Sequence, residues 1–66
     1  MTTQQIKSAV NQGKVVHWSN EAYTVIKDKL GQYLIKCDSN NHCIGLTWDD
    51  DVTLNGEEED FYIKNN

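Results

Sequence analysis

Three short apolar runs between residues 22 and 48 constrain this chain more than any other feature of its sequence. Each run is rich in β-branched and aromatic residues, which pack well on a pleated, half-buried surface. Two polar segments separate the runs and supply the Gly and Asn residues that tolerate a positive φ. The pattern predicts a three-stranded antiparallel meander. Its strands are Tyr23-Thr24-Val25-Ile26, Tyr33-Leu34-Ile35 and Cys43-Ile44-Gly45-Leu46-Thr47-Trp48, and its turns are Lys29-Leu30-Gly31 and Ser39-Asn40-Asn41.

The segment before the meander predicts one helix and one strand. Thr2 or Thr3 can cap a short helix, and Gly13 stands where a helix-terminating glycine is expected. Ile6, Ala9 and Val10 form one narrow apolar stripe at helical spacing, so this helix must dock on the sheet. Residues 14–18 predict a first strand, followed by a polar corner at residues 19–21.

The segment after the meander predicts shorter elements. Residues 52–54 predict a short strand, Asn55-Gly56 gives a hairpin signal, and residues 61–63 predict a last edge strand. In the last strand of the meander, predicted at residues 43–48, Ile44, Leu46 and Trp48 share one face because strand side chains alternate with a period of two. We expect most of the aromatic residues to lie in the core, because a small domain has few other large side chains to bury.

These elements predict an α+β fold, in which a short N-terminal helix precedes a mainly antiparallel, five- to six-stranded, small barrel-like (SH3-like) sheet. A flat helix-on-sheet layer is the alternative. We expect one domain over residues 1–66, with the helix at 2–13, the β meander or barrel at 14–63 and a frayed tail at 64–66.

The charge balance narrows the class of partner. Ten acidic residues against six Lys and no Arg give a formal net charge of −4. Binding to phosphate backbones depends on clustered Lys and Arg, so nucleic acid is an unlikely partner. A single-stranded nucleic-acid binder with stacking aromatics is therefore the weakest of three functional hypotheses. A basic protein, a metal ion or a neutral ligand is a more plausible partner for this composition than nucleic acid.

The compartment follows from segments that the sequence lacks. No apolar run approaches the roughly 20 residues of a membrane span, and residues 1–5 do not resemble a secretory signal. The two cysteines are then expected as reduced thiols in the cytoplasm. No cofactor is expected. A monomer and a homodimer paired through residues 61–63 stay equally open.

Cys37, His42 and Cys43 are the residues with a capacity for metal or thiol chemistry. Their spacing differs from a Cys-x-x-Cys knuckle, and adjacent strand residues point to opposite faces, so a zinc site is disfavoured. A disulfide across the hairpin loop is one alternative, and small packing thiols are another. Cysteine catalysis would need His17 or His42 as a base close to the thiol. A metal- or thiol-dependent protein is accordingly the second hypothesis.

The leading hypothesis is a non-enzymatic protein-interaction module. The acidic segments Asp49-Asp50-Asp51 and residues 57–60 are solvated loops or a docking patch for a basic partner, which also needs an apolar anchor. A calcium loop starting at Asp49 is disfavoured, because Leu54 and Asp60 stand where that loop has Gly and Glu. In an SH3-like barrel, exposed aromatics beside acidic loops bind extended peptides. Trp18, Tyr23 and Tyr62, together with Asp49, Asp50 and Asp51, are therefore the predicted binding residues.

One resemblance covers most of the chain. The strings Val16-His17-Trp18-Ser19-Asn20, Tyr33-Leu34-Ile35, Ile44-Gly45-Leu46-Thr47-Trp48 and Leu54-Asn55-Gly56 resemble small uncharacterised bacterial or prophage-encoded proteins of similar length. The resemblance carries no catalytic motif and transfers no site residue. It implies a stand-alone accessory protein.

Overall fold

The computed structural model describes residues 1–64 and begins with one helix. Helix α1 spans Thr3–Asn11 and is closed at its start by a reciprocal capping box. The Gln5 N–H donates to Thr2 Oγ1 at 3.1 Å, and the Thr2 N–H donates to Gln5 Oε1 at 2.9 Å. Gly13, two residues after the end of the helix, adopts φ +83°, a backbone conformation that favours glycine. The predicted helix is thereby confirmed.

Five antiparallel strands form one sheet in the order β4-β3-β2-β1-β5. The fold is therefore α+β, with one short N-terminal helix and a five-stranded antiparallel sheet, as predicted. The sheet is not closed into a barrel, because β4 and β5 lie at its two edges. The barrel-like (SH3-like) part of the prediction is therefore not confirmed. The strands are β1 (Val16–Trp18), β2 (Asn20–Lys27), β3 (Tyr33–Cys37), β4 (His42–Gly45) and β5 (Phe61–Ile63).

Both turns of the predicted meander are confirmed. Gly31 adopts φ +83° in the β2–β3 turn, and Asn41 adopts φ +58° in the β3–β4 turn. Asp28 Oδ1 accepts the N–H groups of Leu30 and Gln32, both at 2.9 Å, which fixes the first turn from within. Cross-strand partners then align Val25, Ile35 and Ile44 in one row.

The two faces of the sheet have different environments. We call the side that carries Val16, Val25 and Ile35 the covered face, because α1 packs against it and inserts Ile6 and Ala9. The other side is the open face, which has no helix over it in the described chain. The buried core is Ile6, Ala9, Val16, Val25, Ile35, Leu46 and Phe61.

The boundary between β1 and β2 differs from the sequence prediction. The first strand begins at Val16 and not at residue 14, and the polar corner of residues 19–21 is reduced to Ser19 alone, at φ +68°. Asn20 and the residue after it already belong to β2. The reason is a register shift between His17 and Trp18, a bulge that turns the chain within one residue.

The segment after β4 also differs from its prediction. The strand predicted at residues 43–48 ends at Gly45, and the strand predicted at 52–54 is only a single bridge between Thr47 and Leu54. The Asn55 N–H donates to the Leu46 carbonyl at 2.9 Å, so residues 46–55 fold back on themselves. We call these residues the acidic hairpin.

The Asn55-Gly56 hairpin signal is wrong. This dipeptide leads into a 3-10 turn at Glu58–Asp60, and β5 follows directly. Three consecutive glutamates are poor strand formers, so no second strand is available to close a hairpin there. Within residues 1–64, no helix is long and apolar enough to cross a membrane. Of the predicted frayed tail, Lys64 is exposed, and residues 65–66 lie outside the described residues.

Candidate protein-interaction surface

The tip of the acidic hairpin is held in place by the carboxylate of Asp50. Its Oδ1 accepts the N–H groups of Val52 and Thr53 at 3.0 and 2.9 Å, and its Oδ2 accepts the Thr53 hydroxyl at 2.6 Å. The main chain closes the turn at Asp51, whose N–H donates to the Trp48 carbonyl at 3.0 Å. Asp50 therefore organises the turn that carries its neighbours.

These bonds change the acidity of Asp50. Hydrogen bonds from the Thr53 side chain, the Thr53 N–H and the Val52 N–H stabilise the charged form and lower the pKa of Asp50 to about 2. The carboxylate is consequently ionised at any pH near neutrality. It acts as a structural group and a negative charge at the same time.

Large apolar side chains are exposed on the same hairpin. Trp48 is 65% exposed and Val52 is 68% exposed, so two of the large exposed apolar side chains of the described residues lie in this hairpin. Trp48, Asp49 and Asp51 border a shallow hollow, and Tyr33 and Gly31 form part of its other wall. The sequence predicts that Trp48 shares one strand face with Leu46, but β4 ends at Gly45, and Leu46 is buried whereas Trp48 is exposed.

The negative charges of this surface are not neutralised locally. In the part of the chain that is described, the one ion pair within 4.0 Å joins Lys64 to Glu21 at 3.6 Å. The Lys7 ammonium lies nearby, but it donates to the main-chain oxygen of Asp51 at 3.1 Å and not to a carboxylate. The carboxylates of Asp49 and Asp51 therefore remain available to a partner.

The second acidic segment lies beside the first. The Thr3 hydroxyl donates to the Val52 carbonyl at 2.7 Å, and a shallow depression is lined by Thr3, Val52 and residues 57–59. Both acidic segments therefore flank the first turn of α1. Seven of the ten acidic residues of the chain lie in these two segments, so this end of the molecule is strongly negative.

The three predicted aromatic binding residues do not form one surface. Trp18 and Tyr23 contact each other edge to face, with ring centroids 5.1 Å apart, and Trp18 also lies 6.4 Å from Phe61. Tyr62 follows Phe61 in β5, so it points to the open face, where its ring lies 5.6 Å from His17. The structure groups Trp18 with Tyr23, and it separates both from Tyr62.

Trp18 is held by a close approach of the main chain. Its indole Nε1 is buried and has no hydrogen-bond partner in the described residues. A Cβ atom at Gly56 would lie 2.8 Å from that nitrogen, so only glycine fits there without displacement. Trp18 is therefore a half-buried side chain that packs against the core, with its indole nitrogen on the inner side.

His17 is the one buried polar residue among the described residues, with 5% exposure. Its Nδ1 lies 3.0 Å from the Tyr23 carbonyl, which requires the proton to be on Nδ1 if that bond is formed. Nε2 then carries a lone pair, and it has no partner in the described chain. The imidazole therefore supports the β1–β2 bulge. Neither cysteine is in hydrogen-bond contact with it.

The structure does not bring Cys37, His42 and Cys43 together. Cys37 pairs with His42 across β3 and β4, whereas Cys43 pairs with Lys36 and points to the opposite face. Both thiols are free, and this one-residue offset explains why they form no cross-strand disulfide. Across residues 1–64, no group of three His, Cys, Asp or Glu side chains is placed to hold a metal ion.

Hydrogen bonds surround the thiol of Cys37. The Ser39 hydroxyl lies 3.2 Å from its Sγ, and this contact together with main-chain donors lowers the pKa of the Cys37 thiol. The side chain is partly exposed. This arrangement makes Cys37 more readily ionised than an ordinary thiol, but no base is bonded to it in the described chain.

Sequence reasoning missed the apolar part of the surface. Trp48 and Val52 were assigned to strands, although Trp48 directly precedes three aspartates and Val52 directly follows them. That context, an apolar residue on each side of a charge run, was the available signal. Comparisons with protein-family models, with curated proteins and with solved structures found no match.

Proposed function

We propose that this protein is a non-enzymatic interaction module that binds a basic protein segment through the acidic hairpin. The observation that carries the proposal is Trp48, which is 65% exposed between the packed core and three aspartates. Trp is enriched among the residues that dominate binding energy at protein interfaces. The proposal therefore combines an apolar anchor with surrounding negative charge, and a docking surface needs both.

The rigidity of the hairpin supports the same proposal. Asp50 fixes the turn through three hydrogen bonds, so Trp48 and Val52 are presented in one arrangement before a partner arrives. A surface that is ordered beforehand loses less conformational entropy on binding. Asp49 and Asp51 then supply electrostatic attraction, which increases the association rate with a cationic partner and decreases with salt.

The proposal also covers the kind of peptide that is bound and the cellular compartment in which the protein acts. We infer that the partner is an extended segment with Lys or Arg and an aliphatic side chain, received in the way that aromatic grooves of SH3-like barrels receive peptides. Two free thiols are typical of a reducing compartment, and the cytoplasm is the proposed location.

The test is an NMR titration with a panel of synthetic peptides that alternate Lys or Arg with Leu. Trp18 and Trp48 each give an indole N–H signal. A shift of the Trp48 signal therefore reports binding at the acidic hairpin, and the Trp18 signal reports any change in packing against the core. We expect shifts at the Trp48 indole and at residues 46–55, with affinity falling as salt increases. W48A should weaken binding about tenfold or more, as expected for loss of a Trp anchor.

Two charge-matched variants locate the attraction. D49N/D51N and E57Q/E59Q each remove two negative charges, but only the first pair lies next to Trp48. We expect D49N/D51N to weaken binding and reduce its salt dependence more than E57Q/E59Q does. Equal effects of the two variants, or unchanged binding by W48A, would contradict the proposed surface. Asp50 is left intact because its carboxylate holds the turn.

A further inference from the structure

Strand β5 is an unpaired sheet edge with a groove beside it. The groove runs between α1 and β5, and the polar stripe Gln4, Ser8 and Gln12 of the helix forms one of its walls. Beyond β5 the described chain adds no further strand to this side of the sheet. The edge and the groove are distant in sequence from the acidic hairpin and take no part in the function proposed above.

The hydrogen-bond pattern shows which groups of β5 face outward. The Ser19 N–H donates to the Asp60 carbonyl at 2.8 Å, and the Lys64 N–H donates to the Val15 carbonyl at 3.0 Å. In an antiparallel ladder, residues that bond to one neighbour alternate with residues that face away from it. Residue 62 therefore bonds to β1, whereas the N–H and carbonyl of Ile63 and the carbonyl of Phe61 point to the free edge.

The charges along this edge are arranged for one particular pairing. β5 is preceded by Asp60, the last residue of the 3-10 turn, and followed by Lys64, whose ammonium lies 3.6 Å from Glu21 in the isolated chain. Tyr62 lies midway between Asp60 and Lys64. If an identical edge pairs antiparallel about Tyr62, Lys64 of each copy lies opposite Asp60 of the other. Opposite charges at directly facing positions stabilise a strand pair, and like charges destabilise it. The edge is therefore complementary to itself in the antiparallel orientation.

We propose that β5 pairs antiparallel with β5 of a second copy, forming a two-fold symmetric dimer with a continuous sheet. The Ile63 N–H of each copy donates to the Phe61 carbonyl of the other. The two Tyr62 side chains face each other as a closely spaced cross-strand pair on the open face. The two helices lie on the same face of the joined sheet.

The surroundings of the edge agree with this occupant. The helix stripe beside the groove consists of uncharged Gln and Ser side chains, so a facing copy meets no like charge there. Lys14 also lines the groove near Lys64 and adds a second positive group at that end. With the two strands centred on Tyr62, the glutamates before Asp60 do not lie opposite one another, because each residue before Tyr62 faces a residue after it.

The other sheet edge lacks this pattern. β4 spans His42–Gly45 and carries no acidic residue at one end matched by a basic residue at the other. An exposed strand edge is usually protected by charge against pairing with copies. In β5, the charges at the two ends have opposite signs. They therefore oppose parallel or shifted pairing with a second copy and favour the antiparallel pairing centred on Tyr62.

The test uses two charge variants, K64D and D60K, studied by sedimentation equilibrium alone and as an equimolar mixture. The wild type is expected to dimerise reversibly below about 1 mM, a concentration that corresponds to weak but specific association. Each variant alone places two like-charge pairs across the axis, and its dimer dissociation constant should rise about tenfold or more.

The equimolar mixture of K64D and D60K tests the proposed charge pairing most directly. A K64D chain facing a D60K chain restores both opposite-charge pairs, so the mixture should form a heterodimer although neither variant dimerises well alone. Circular dichroism checks that both variants are folded. A synthetic chain methylated at the Ile63 nitrogen, which removes only the outward donor, should also be monomeric, and methylation at Cys43 on the other edge should not prevent dimerisation.

Three results would overturn the dimer. They are a wild-type monomer at about 1 mM, a K64D and D60K mixture no more associated than its components, or a dimer insensitive to methylation at Ile63. A partner peptide at this edge would give the first result, because the edge would then be free in the isolated protein.

Discussion

The two tryptophans of this chain have opposite roles. Trp18 is packed between Tyr23 and Phe61, and its indole nitrogen is buried, whereas Trp48 is 65% exposed. Each stands at the end of a short apolar run in the sequence, although only Trp48 is followed directly by three aspartates. The difference lies in what the distant chain supplies. Gly56 closes over Trp18, and the acidic hairpin turns Trp48 outward.

The largest expected difference is between the two alanine variants. W18A removes a ring with two aromatic contacts, and we expect a loss of about 3 kcal/mol in the free energy of unfolding. W48A should change that free energy by less than about 0.5 kcal/mol, as surface substitutions usually do. Urea unfolding followed by circular dichroism measures both, and W18F provides a milder variant in case W18A does not fold. Similar losses for W18A and W48A would show that Trp48 is part of the core.

Gly56→Ala tests how Trp18 is enclosed. Its Cβ would lie 2.8 Å from the Trp18 Nε1 and 3.6 Å from Phe61, so the indole must move against a packed neighbour. We expect a destabilisation of about 2 kcal/mol, within the usual cost of overpacking. Gly13→Ala is a useful control, because a Cβ there meets no atom within 4 Å, although its φ of +83° also disfavours alanine. The double variant W18A/G56A should be less destabilised than the sum of its parts, since the clash disappears with the ring.

Local pattern was sufficient for the central elements. The helix, both meander turns and the antiparallel order of the strands predicted at 23–26 and 33–35 follow from capping residues, positive-φ residues and the apolar runs. These features depend on contacts between residues close in sequence. The α+β class could therefore be predicted from the chain alone.

The candidate site could be predicted only in part. Its charges are evident in the sequence, because three aspartates are adjacent. The exposure of Trp48 is not, because it depends on the end of β4 at Gly45 and on the bond from the Asn55 N–H to Leu46. The opposite orientations of Trp18 and Tyr62 likewise depend on which residues of β1 and β5 are partners. Such registers are set by long-range packing and are not encoded in any short segment.

His17, the residue before Trp18, offers a smaller test on the opposite face. Its Nδ1 supports the Tyr23 carbonyl at 3.0 Å, whereas its Nε2 has no partner in the described residues. Asn places a donor near the Nδ1 position, and Gln places one near the Nε2 position. We expect H17N to be more stable than H17Q by about 1 kcal/mol, the net value of one hydrogen bond. Urea unfolding compares the two, and a more stable H17Q would contradict the assigned role of Nδ1.

Asp50 gives the smallest expected effect and separates the order of the acidic hairpin from the stability of the core. Its pKa is lowered from 3.8 to about 2, so its bonds to Val52 and Thr53 stabilise the fold fully above pH 4 and progressively less as the pH falls toward 2. NMR titration of the Asp50 carboxyl carbon should show this low pKa directly. The Trp48 indole signal should shift over the same pH range, whereas that of Trp18 should not, because only Trp48 lies on the turn that Asp50 closes. D50N should abolish the shift, and D49N, which removes the same charge without touching those three bonds, should retain it. If both indole signals move together in the wild type, the hairpin and the core open as one unit, and the two tryptophans do not report on independent regions.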